Sequence, residues 1–329
     1  MTEHIGIVTG LSDFANFLAA YNLTTRNTNR EGDILKAVLF GRPKSLPSGM
    51  QKEFLEVVCS AFPFIDSFIL PPETVLKNRI DFDNATRSRL EKTPAKRIVY
   101  GNALHKPFHQ YLYTFLKPDE FIFFDNGLSS YWDQPLDIHE TFPEIGIPIP
   151  ACACLGLAPP LQPPNYLKGL TQKSLSLNDF DMAFAGLRSA GKSPRGGWLT
   201  ETVIFGTSIF RTGHLSWEEE RGVYLRLIET LKRRGENNIV FKAHPRATEK
   251  PIIFESDGVD VLENSIPVEA FVKPGAAGTA YGIASTSLIT FERYFGWKSY
   301  RIDAPETRRA VEKKPHRGLA ARIEPIIID

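Results

Sequence analysis

Short apolar runs alternate with longer amphipathic segments along residues 1–130. Apolar runs that end in small or polar residues are typical of strands buried on both faces. The predicted strands are HIGIVTG, KAVLFG, DSFILP, RIVYGN and EFIFFDNG. The segments between them predict helices: DFANFLAAYN, GMQKEFLEVVCSAF, the stretch from Val75 to Glu91, and HKPFHQYLYTFL. This alternation predicts βαβ units and a parallel sheet, so we interpret residues 1–130 as a Rossmann-like domain.

The pattern is interrupted between residues 131 and 200. Closely spaced prolines disfavour regular structure over most of this segment, because proline cannot donate a backbone hydrogen bond. One short helix is predicted, LNDFDMAFAGL. We therefore expect residues 131–200 to be a Pro-rich connector that packs in part against one or both domains.

Strand–helix alternation resumes in residues 201–329, with the strands TVIFGTS, NIVFKAHPR, DGVDVLE and YGIASTS. The clearest helix has Ser216 as its N-cap, Glu219 as the capping-box partner and Gly235 as its stop signal. A short helix is predicted in PVEAFVK and a final one in LITFERYFG. The sequence thus predicts an α/β fold with two Rossmann-type, doubly wound domains that face a central cleft.

Composition excludes several classes of protein. The 39 Lys and Arg residues balance 38 Asp and Glu, a net charge of +1, so no general attraction to nucleic acid is expected. Three cysteines fit a reducing compartment, and we interpret Cys152 and Cys154 as packing residues. The N-terminal segment lacks the pattern of a signal peptide, and no apolar window is long enough to span a membrane. We expect a cytoplasmic protein; peripheral association with the inner membrane face and the oligomeric state stay open.

Small and polar residues follow the predicted strands, at the end where open parallel sheets bind ligands. In the first domain these residues are Asp125, Asn126 and Gly127. In the second domain they form three groups: Gly206, Thr207 and Ser208; His244, Pro245 and Arg246; Ser285, Thr286 and Ser287. Such residues also make ordinary turns and caps, so the prediction depends on their shared placement at strand ends.

The second-domain groups have the chemistry of a phosphate site. A histidine beside Lys242 and Arg246 can contact a phosphate or protonate a leaving group, and Pro245 restricts the backbone of His244. The alternative is a surface histidine in a turn. The hydroxyls after the other two strands either donate to an anion beside a helix N-terminus or act only as caps. Neither a dinucleotide fingerprint nor a P-loop is present.

Three other residues have secondary roles in this interpretation. Glu269 begins a predicted helix and either binds a hydroxyl or complements the helix dipole. His105 and His109 are four residues apart on one helix face, which is metal-ligand spacing, but no acidic or cysteine partner is evident. We therefore expect these histidines to contact solvent or acceptor, and we expect no metal site.

The three motifs resemble those of bacterial sialyltransferases and polysialyltransferases. D-N-G lies in the first half of the chain, H-P in the second half, and S-T-S about forty residues after it. The family has an acidic pair followed by Gly, then His-Pro, then Ser-Ser/Thr, on the GT-B fold of two Rossmann domains. The resemblance implies an inverting, metal-independent transfer of sialic acid from CMP-sialic acid to a sugar hydroxyl.

The resemblance also implies roles for individual residues. Asp125 corresponds to the general base, and His244 to the histidine that acts on the departing CMP phosphate. Ser285 and Thr286, with Ser287 adjacent, correspond to the hydroxyl pair that holds the phosphate. The chain departs from the family at Asn126, where a second acid is usual.

The implied partners are a nucleotide-sugar donor on the second domain and a glycan acceptor on the first, in the synthesis of a capsule, lipopolysaccharide or other surface glycan. No cofactor is expected. Three alternatives stay open: a transferase for another CMP-linked sugar acid of the Kdo type, a non-catalytic sugar-nucleotide-binding relative in which Asn126 marks lost chemistry, and a nucleotide-sugar epimerase. The last alternative predicts binding of UDP and not of CMP.

Overall fold

The computed structural model divides the chain into two compact units, Met1–Ala190 and Gly191–Asp329. It describes every residue except 41–47, 71–74, 77–78, 81–83, 92–94, 105, 126–129, 132–135, 159–160, 192–196, 200, 245–249, 263–264, 312–321 and 329. The side chains at positions 75, 76, 79, 80, 108, 212 and 311 are also outside the description. None of the described helices is long and apolar enough to cross a membrane.

The first unit is built on a parallel sheet that follows the predicted apolar runs. Its strands, in chain order, are β1 (Thr2–Val8), β2 (Ile34–Leu39), β3 (Ile65–Ile69), β4 (Val75–Leu76), β5 (Arg79–Ile80), β6 (Lys96–Gly101), β7 (Glu120–Phe124), β8 (Cys152–Leu155) and β9 (Gln172–Ser174). β4 and β5 form a separate antiparallel pair. The others pair in the order β3-β2-β1-β6-β7-β8-β9. Strand order reverses between β1 and β6, which is the ligand-binding point of open α/β sheets.

Helices and a large apolar core cover this sheet. The helices are α1 (Leu11–Thr25), α2 (Ser48–Ala61), α3 (Asn84–Leu90), α4 (Pro107–Leu116), α5 (Ile138–Glu144) and α6 (Asp181–Ala190). In the core, Tyr113 of α4 packs edge to face on Phe121 of β7, with ring centroids 4.8 Å apart. A Cβ at Gly101 would lie 2.4 Å from the Tyr113 hydroxyl, so β6 has to end in glycine for α4 to pack here.

The structure corrects the predicted extent of the first domain. Residues 131–190 are not a connector, because they supply α5, β8, β9 and α6 to the first unit. The proline-free run between Pro150 and Pro159 is long enough for one buried strand, β8. Its Cys152 and Cys154 are buried, in agreement with a packing role.

The stretch from Val75 to Glu91 is also not a single helix. It contains the hairpin strands β4 and β5 and the short helix α3. Asn and Asp residues recur in this stretch of the sequence, and they favour turns over helix interiors.

The second unit has the same plan as the first. Its strands are β10 (Thr202–Phe205), β11 (Ile239–Lys242), β12 (Asp260–Leu262), β13 (Thr279–Gly282), β14 (Lys298–Asp303) and β15 (Glu324–Ile327), all paired in parallel in the order β12-β11-β10-β13-β14-β15. Strand order reverses between β10 and β13. The four predicted strands are confirmed, whereas β14 carries too many polar residues to be recognised from its sequence and β15 is short and contains a proline.

The helices of the second unit are α7 (Trp217–Arg233), α8 (Thr286–Thr290) and α9 (Pro305–Val311). The predicted capping box is confirmed: the Glu219 N–H donates to Ser216 Oγ at 3.0 Å, and the Ser216 N–H donates to the Glu219 carboxylate at 2.7 Å. α8 continues into a π-helical turn, Phe291–Phe295. PVEAFVK forms a 3-10 turn, Val268–Phe271, and not an α-helix.

A buried group of charges ties the amino edge of the first sheet together. Glu3 of β1 is fully buried and forms ion pairs with Arg97 of β6 at 2.5 Å and with Lys36 of β2 at 2.8 Å. The Arg97 guanidinium also donates to the carbonyl oxygens of Leu90, Glu91 and Leu116. These bonds satisfy a charge that would otherwise be very costly to bury.

We predict that Glu3→Ala lowers the free energy of unfolding of the first unit by about 3–5 kcal/mol, because it leaves two buried cations without their anion. Urea denaturation monitored by circular dichroism measures the change. The control is Glu56→Ala, which breaks the exposed Lys52–Glu56 pair and is expected to cost less than about 0.5 kcal/mol. Equal losses in the two variants would contradict the assigned role of Glu3.

Candidate functional site

The predicted donor-binding residues of the second unit meet at the carboxyl edge of its sheet. Gly206–Ser208 follow β10, His244 follows β11, and Ser285–Ser287 follow β13. β10 lies between β11 and β13, and neighbouring strands in a sheet are about 5 Å apart. Three groups that are far apart in the sequence are therefore close in space, around the reversal of strand order.

The loop after β10 is held by one buried carboxylate. Glu220 of α7 is fully buried and accepts hydrogen bonds from the Thr207 hydroxyl at 3.0 Å and the Phe210 N–H at 2.8 Å. Tyr224, one helical turn later, donates to the carbonyl oxygen of Phe205 at 3.0 Å. Burial raises the pKa of Glu220, and the hydrogen bonds from the loop oppose that shift. Glu220 therefore fixes the loop to α7.

Two residues of this loop have conformations set by their surroundings. The Gly206 N–H donates to the Lys242 carbonyl at 2.9 Å, and a Cβ at Gly206 would lie 2.9 Å from the Phe241 ring. Ser208 has a φ of 51°, which is uncommon for a residue with a side chain. Its Oγ is buried and has no hydrogen-bond partner among the described residues. Such a hydroxyl is costly to bury and can be satisfied by a ligand.

A cation, a carboxyl group and a hydroxyl lie near one another beyond β11 and β13. Lys242 ends β11 with its side chain buried, and His244 is half-buried two residues later. Burial raises the pKa of the half-buried Glu269, while the Ser287 hydroxyl and the charge of Lys242 lower it. Glu269 is therefore close to both Ser287 and Lys242, an arrangement suited to a polar ligand.

The serine and threonine cluster begins the helical segment that follows β13. Ser285 Oγ accepts a hydrogen bond from the Ser287 N–H at 3.3 Å, so its role as a helix cap is confirmed. Thr286 and Ser287 lie in the first turn of α8. The N–H groups of a first turn have no intrahelical partners and attract anions.

In the first unit, Asp125 lies directly after β7 and is 1% exposed. Its Oδ2 accepts hydrogen bonds from the Tyr131 hydroxyl at 2.7 Å and from the N–H groups of Gly156 and Leu157 at 2.8 and 3.1 Å. Its own carbonyl accepts from Asn16 Nδ2 of α1 at 3.0 Å. Asp125 therefore connects the end of β7 to the loop after β8, which gives the carboxylate a fixed position at the carboxyl edge.

Two buried polar residues at the reversal of strand order in this unit were not predicted from the sequence. Asp13 lies in the first turn of α1 after β1, and its Oδ2 accepts hydrogen bonds from the N–H and the hydroxyl of Thr9. Asn102 directly follows β6, and neither of its amide atoms has a hydrogen-bond partner among the described residues. The rule that found Asp125, a polar residue directly after a strand, would have found Asn102, whereas Asp13 lies within the first turn of α1.

Some predicted site residues cannot be placed, and one prediction is wrong. Outside the described residues lie Asn126, Gly127, Pro245, Arg246 and His105. His109 is only 5% exposed, with its ring edge to face on Phe40 at 5.1 Å, so the predicted solvent contact is wrong for this residue. Contact of His109 with an acceptor, and the catalytic and binding roles of the other residues, stay predictions.

The described residues form no metal centre, and one cavity of the second unit lies at the opposite edge of its sheet. Among the described residues, no group of three or more His, Cys, Asp or Glu side chains could hold a metal ion, and metal independence stays a prediction. One cavity of the second unit is lined by residues that include Trp198, Asn237 and Asp260. These residues lie at the amino ends of β10, β11 and β12, which is the edge opposite His244.

A segment of the second unit is similar to a known protein family. Residues 195–303 match the model of the family described as alpha-2,8-polysialyltransferase. This segment contains β10 to β14, with all the predicted donor-binding residues. The resemblance inferred from the three motifs is therefore confirmed. No curated protein sequence matches the chain.

Solved structures show the fold. The GT-B domain of a sialyltransferase from Photobacterium damselae aligns with 99% of this chain and 100% of its own, at 12% identity and a TM-score of 0.54. A UDP-GlcNAc 2-epimerase from Neisseria meningitidis aligns with 98% of this chain and 86% of its own, at 9% identity and a TM-score of 0.51. The predicted GT-B-like fold is confirmed, and the family match together with this fold supports a glycosyltransferase.

We predict that Glu220→Ala destabilises the second unit by about 1–3 kcal/mol, because the Thr207 hydroxyl and the Phe210 N–H lose the buried carboxylate that accepts from both. Glu220→Gln keeps an acceptor and removes the charge. Since the folded-state pKa of Glu220 is raised, its contribution to stability is largest below the ordinary value of 4.5 and is lost as the pH rises.

The stability of the wild type relative to Glu220→Gln should therefore fall with rising pH. Urea denaturation of both proteins between pH 4 and 8 measures this difference. A difference that grows with pH would show that the ionised form of Glu220 is the stabilising one and would contradict the prediction.

Proposed function

We propose that this chain transfers sialic acid from CMP-sialic acid to a hydroxyl group of a glycan, with inversion at the anomeric carbon and without a metal ion. The observation that carries the proposal is the meeting of three predicted donor-binding groups after β10, β11 and β13. All three groups lie in the segment that matches the polysialyltransferase family. The glycan product belongs to a capsule, a lipopolysaccharide or another surface polysaccharide.

The second unit binds the donor in this proposal. CMP carries one phosphate, so its site needs less positive charge than a diphosphate site. The Thr286 N–H and the Ser285 and Thr286 hydroxyls donate to the phosphate oxygens, and the unsatisfied Ser208 hydroxyl supplies a further donor. Lys242 contributes the positive charge, and Glu269 accepts a hydrogen bond from a ribose hydroxyl.

His244 assists departure of the nucleotide. As the bond between the anomeric carbon and the phosphate oxygen breaks, negative charge develops on that oxygen. A protonated imidazole donates to it and lowers the barrier, which for a positioned acid is typically worth 10²–10⁴-fold in rate. His244 lies one strand away from the loop after β10, where it can reach a phosphate bound at this edge.

The first unit supplies a carboxylate that takes the proton from the acceptor hydroxyl. The family motif implies Asp125 for this role. Its burial and its three hydrogen bonds on Oδ2 keep it in a fixed position. Asp13 is the second carboxylate at the same edge of the sheet.

Other donors and activities make different predictions for the same site. A CMP-linked sugar acid of the Kdo type would use the same phosphate-binding groups and differ in the sugar. A non-catalytic relative would bind CMP without releasing it from a donor. The third alternative, a nucleotide-sugar epimerase, requires UDP binding.

We predict that CMP, and not UDP, raises the melting temperature of the protein. A ligand that binds only the folded state adds about 2.7 kcal/mol at a concentration 100 times its Kd. Differential scanning fluorimetry with CMP, CMP-sialic acid and UDP measures the shift. Stabilisation by UDP alone would favour the epimerase alternative, and no response to either cytidine nucleotide would contradict the proposal.

We also predict that His244→Ala lowers the release of CMP from CMP-sialic acid about 10²–10⁴-fold and weakens the stabilisation by CMP. The control is His139→Ala, a histidine of α5 that contacts the Lys168 carbonyl in the first unit and keeps full activity. Chromatography of the nucleotides measures release with water as the acceptor. A His244→Ala variant with wild-type release would exclude His244 from catalysis.

A further inference from the structure

Asp13 lies in the first turn of α1, which follows β1, and Asn102 directly follows the neighbouring strand β6, at the ligand-binding point of the first sheet. β1 and β6 pair directly in parallel, and strand order reverses between them. Asp13 is 7% exposed and Asn102 is 5% exposed. The Asn102 side chain lowers the pKa of the Asp13 carboxyl, against the effect of burial. The two side chains are therefore close to each other.

Asn102 makes none of the hydrogen bonds that its amide can form with the described residues. Its Nδ2 and Oδ1 are both buried and without a partner among them. A buried amide in this state costs on the order of 1–3 kcal/mol per unsatisfied group. One sugar hydroxyl can accept from Nδ2 while a neighbouring hydroxyl donates to Oδ1, so the site favours a ligand with several hydroxyls, such as a sugar.

The hydrogen bonds of the two carboxylates at this edge differ in origin. Both bonds from Thr9 to Asp13 end on Oδ2, and both come from within the same strand–helix turn. Oδ2 of Asp125 accepts from Tyr131, Gly156 and Leu157, which belong to other parts of the unit. Asp125 therefore holds the tertiary structure of the edge together through three hydrogen bonds on one oxygen, whereas the two bonds from Thr9 hold Asp13 only within its own turn.

We propose that Asp13 and Asn102 form the subsite that holds the reacting hydroxyl of the glycan acceptor, and that Asp13 takes the proton from this hydroxyl. The inference rests on the proposed sialyl transfer and names a residue that the family motif does not. Asn102 orients the hydroxyl, and Asp125 acts as a positioning residue that anchors the loop after β8.

The step is balanced without any further reactant. The acceptor oxygen forms a bond to the anomeric carbon of sialic acid, and its proton passes to the Asp13 carboxylate. The bond between the anomeric carbon and the CMP phosphate oxygen breaks, and its electron pair leaves with CMP. Asp13 later returns the proton to water. A carboxylate whose pKa is raised by burial is a stronger base for this step than an exposed one.

The test compares Asp13→Asn, Asn102→Ala and Asp125→Asn with the wild type. The acceptor probes are water, lactose and a short α-2,8-linked oligosialic acid, and release of CMP from CMP-sialic acid is followed with each. Release of CMP by the wild type tests the proposed function separately. We expect Asp13→Asn to lower kcat about 10²–10⁴-fold with unchanged KM for the donor, and Asn102→Ala to raise KM for the sugar acceptors.

Stability separates a catalytic from a structural role. Because burial raises the pKa of Asp13, its ionised form opposes folding at neutral pH, and Asp13→Asn is expected to keep or raise the melting temperature. Asp179→Asn is the matched control, since Asp179 is also a buried capping acid that accepts from the N–H and hydroxyl of Ser176. It additionally pairs with Arg26, so this variant should lose stability and keep kcat.

The pH dependence of kcat/KM distinguishes a catalytic base from a structural residue, because replacing a structural residue would not remove the acidic limb of the profile. The wild type should lose kcat/KM at acidic pH as Asp13 becomes protonated, and Asp13→Asn should lack this limb. The charge of Lys106 lowers the pKa of the Asp13 carboxyl, and the charge of Asp13 raises the pKa of the buried Tyr113. The inference is overturned if Asp13→Asn retains wild-type kcat, or if Asp125→Asn loses kcat and the acidic limb at an unchanged melting temperature.

Discussion

The architecture depends on one constraint: every strand of each large sheet is parallel to its neighbours, so all strands end at the same edge. Where strand order reverses, the connections on the two sides lead away from each other and leave that edge accessible. This arrangement occurs in both large sheets, between β1 and β6 and between β10 and β13. Residues separated by about eighty positions, such as Thr207 and Thr286, therefore lie at the same edge of one sheet.

In each unit, a buried carboxylate holds a loop in place at the carboxyl edge of the sheet. Glu220 holds the loop after β10 through a side-chain hydroxyl and a backbone N–H, and Asp125 holds the loop after β8 through two backbone N–H groups and Tyr131. In both cases burial makes the charge costly, and the hydrogen bonds offset that cost. Groups placed in this way need little reorganisation when charge develops in a reaction, which is the main source of electrostatic catalysis.

The sequence predicted the parts of the fold that depend on local pattern. Apolar runs identified β1, β7, β10 and β13, and the Ser216–Glu219 capping box identified the start of α7. The local pattern did not predict β8, which lies between prolines, or β14, in which polar residues interrupt the apolar run. The same limit applies to the site: the residues directly after strands were found, but the anchoring role of Glu220 depends on tertiary contacts that no local pattern shows.

The measurement that tests the account most directly is hydrogen–deuterium exchange of the whole chain with and without CMP. Binding of CMP at the carboxyl edge of the second sheet predicts slower exchange in peptides that cover residues 205–210 and 283–288, which follow β10 and β13. Exchange should stay unchanged around Asn237 and Gly278, at the amino edge of the same sheet. Protection confined to that amino edge would contradict the placement of the nucleotide and the roles proposed for His244 and Thr286.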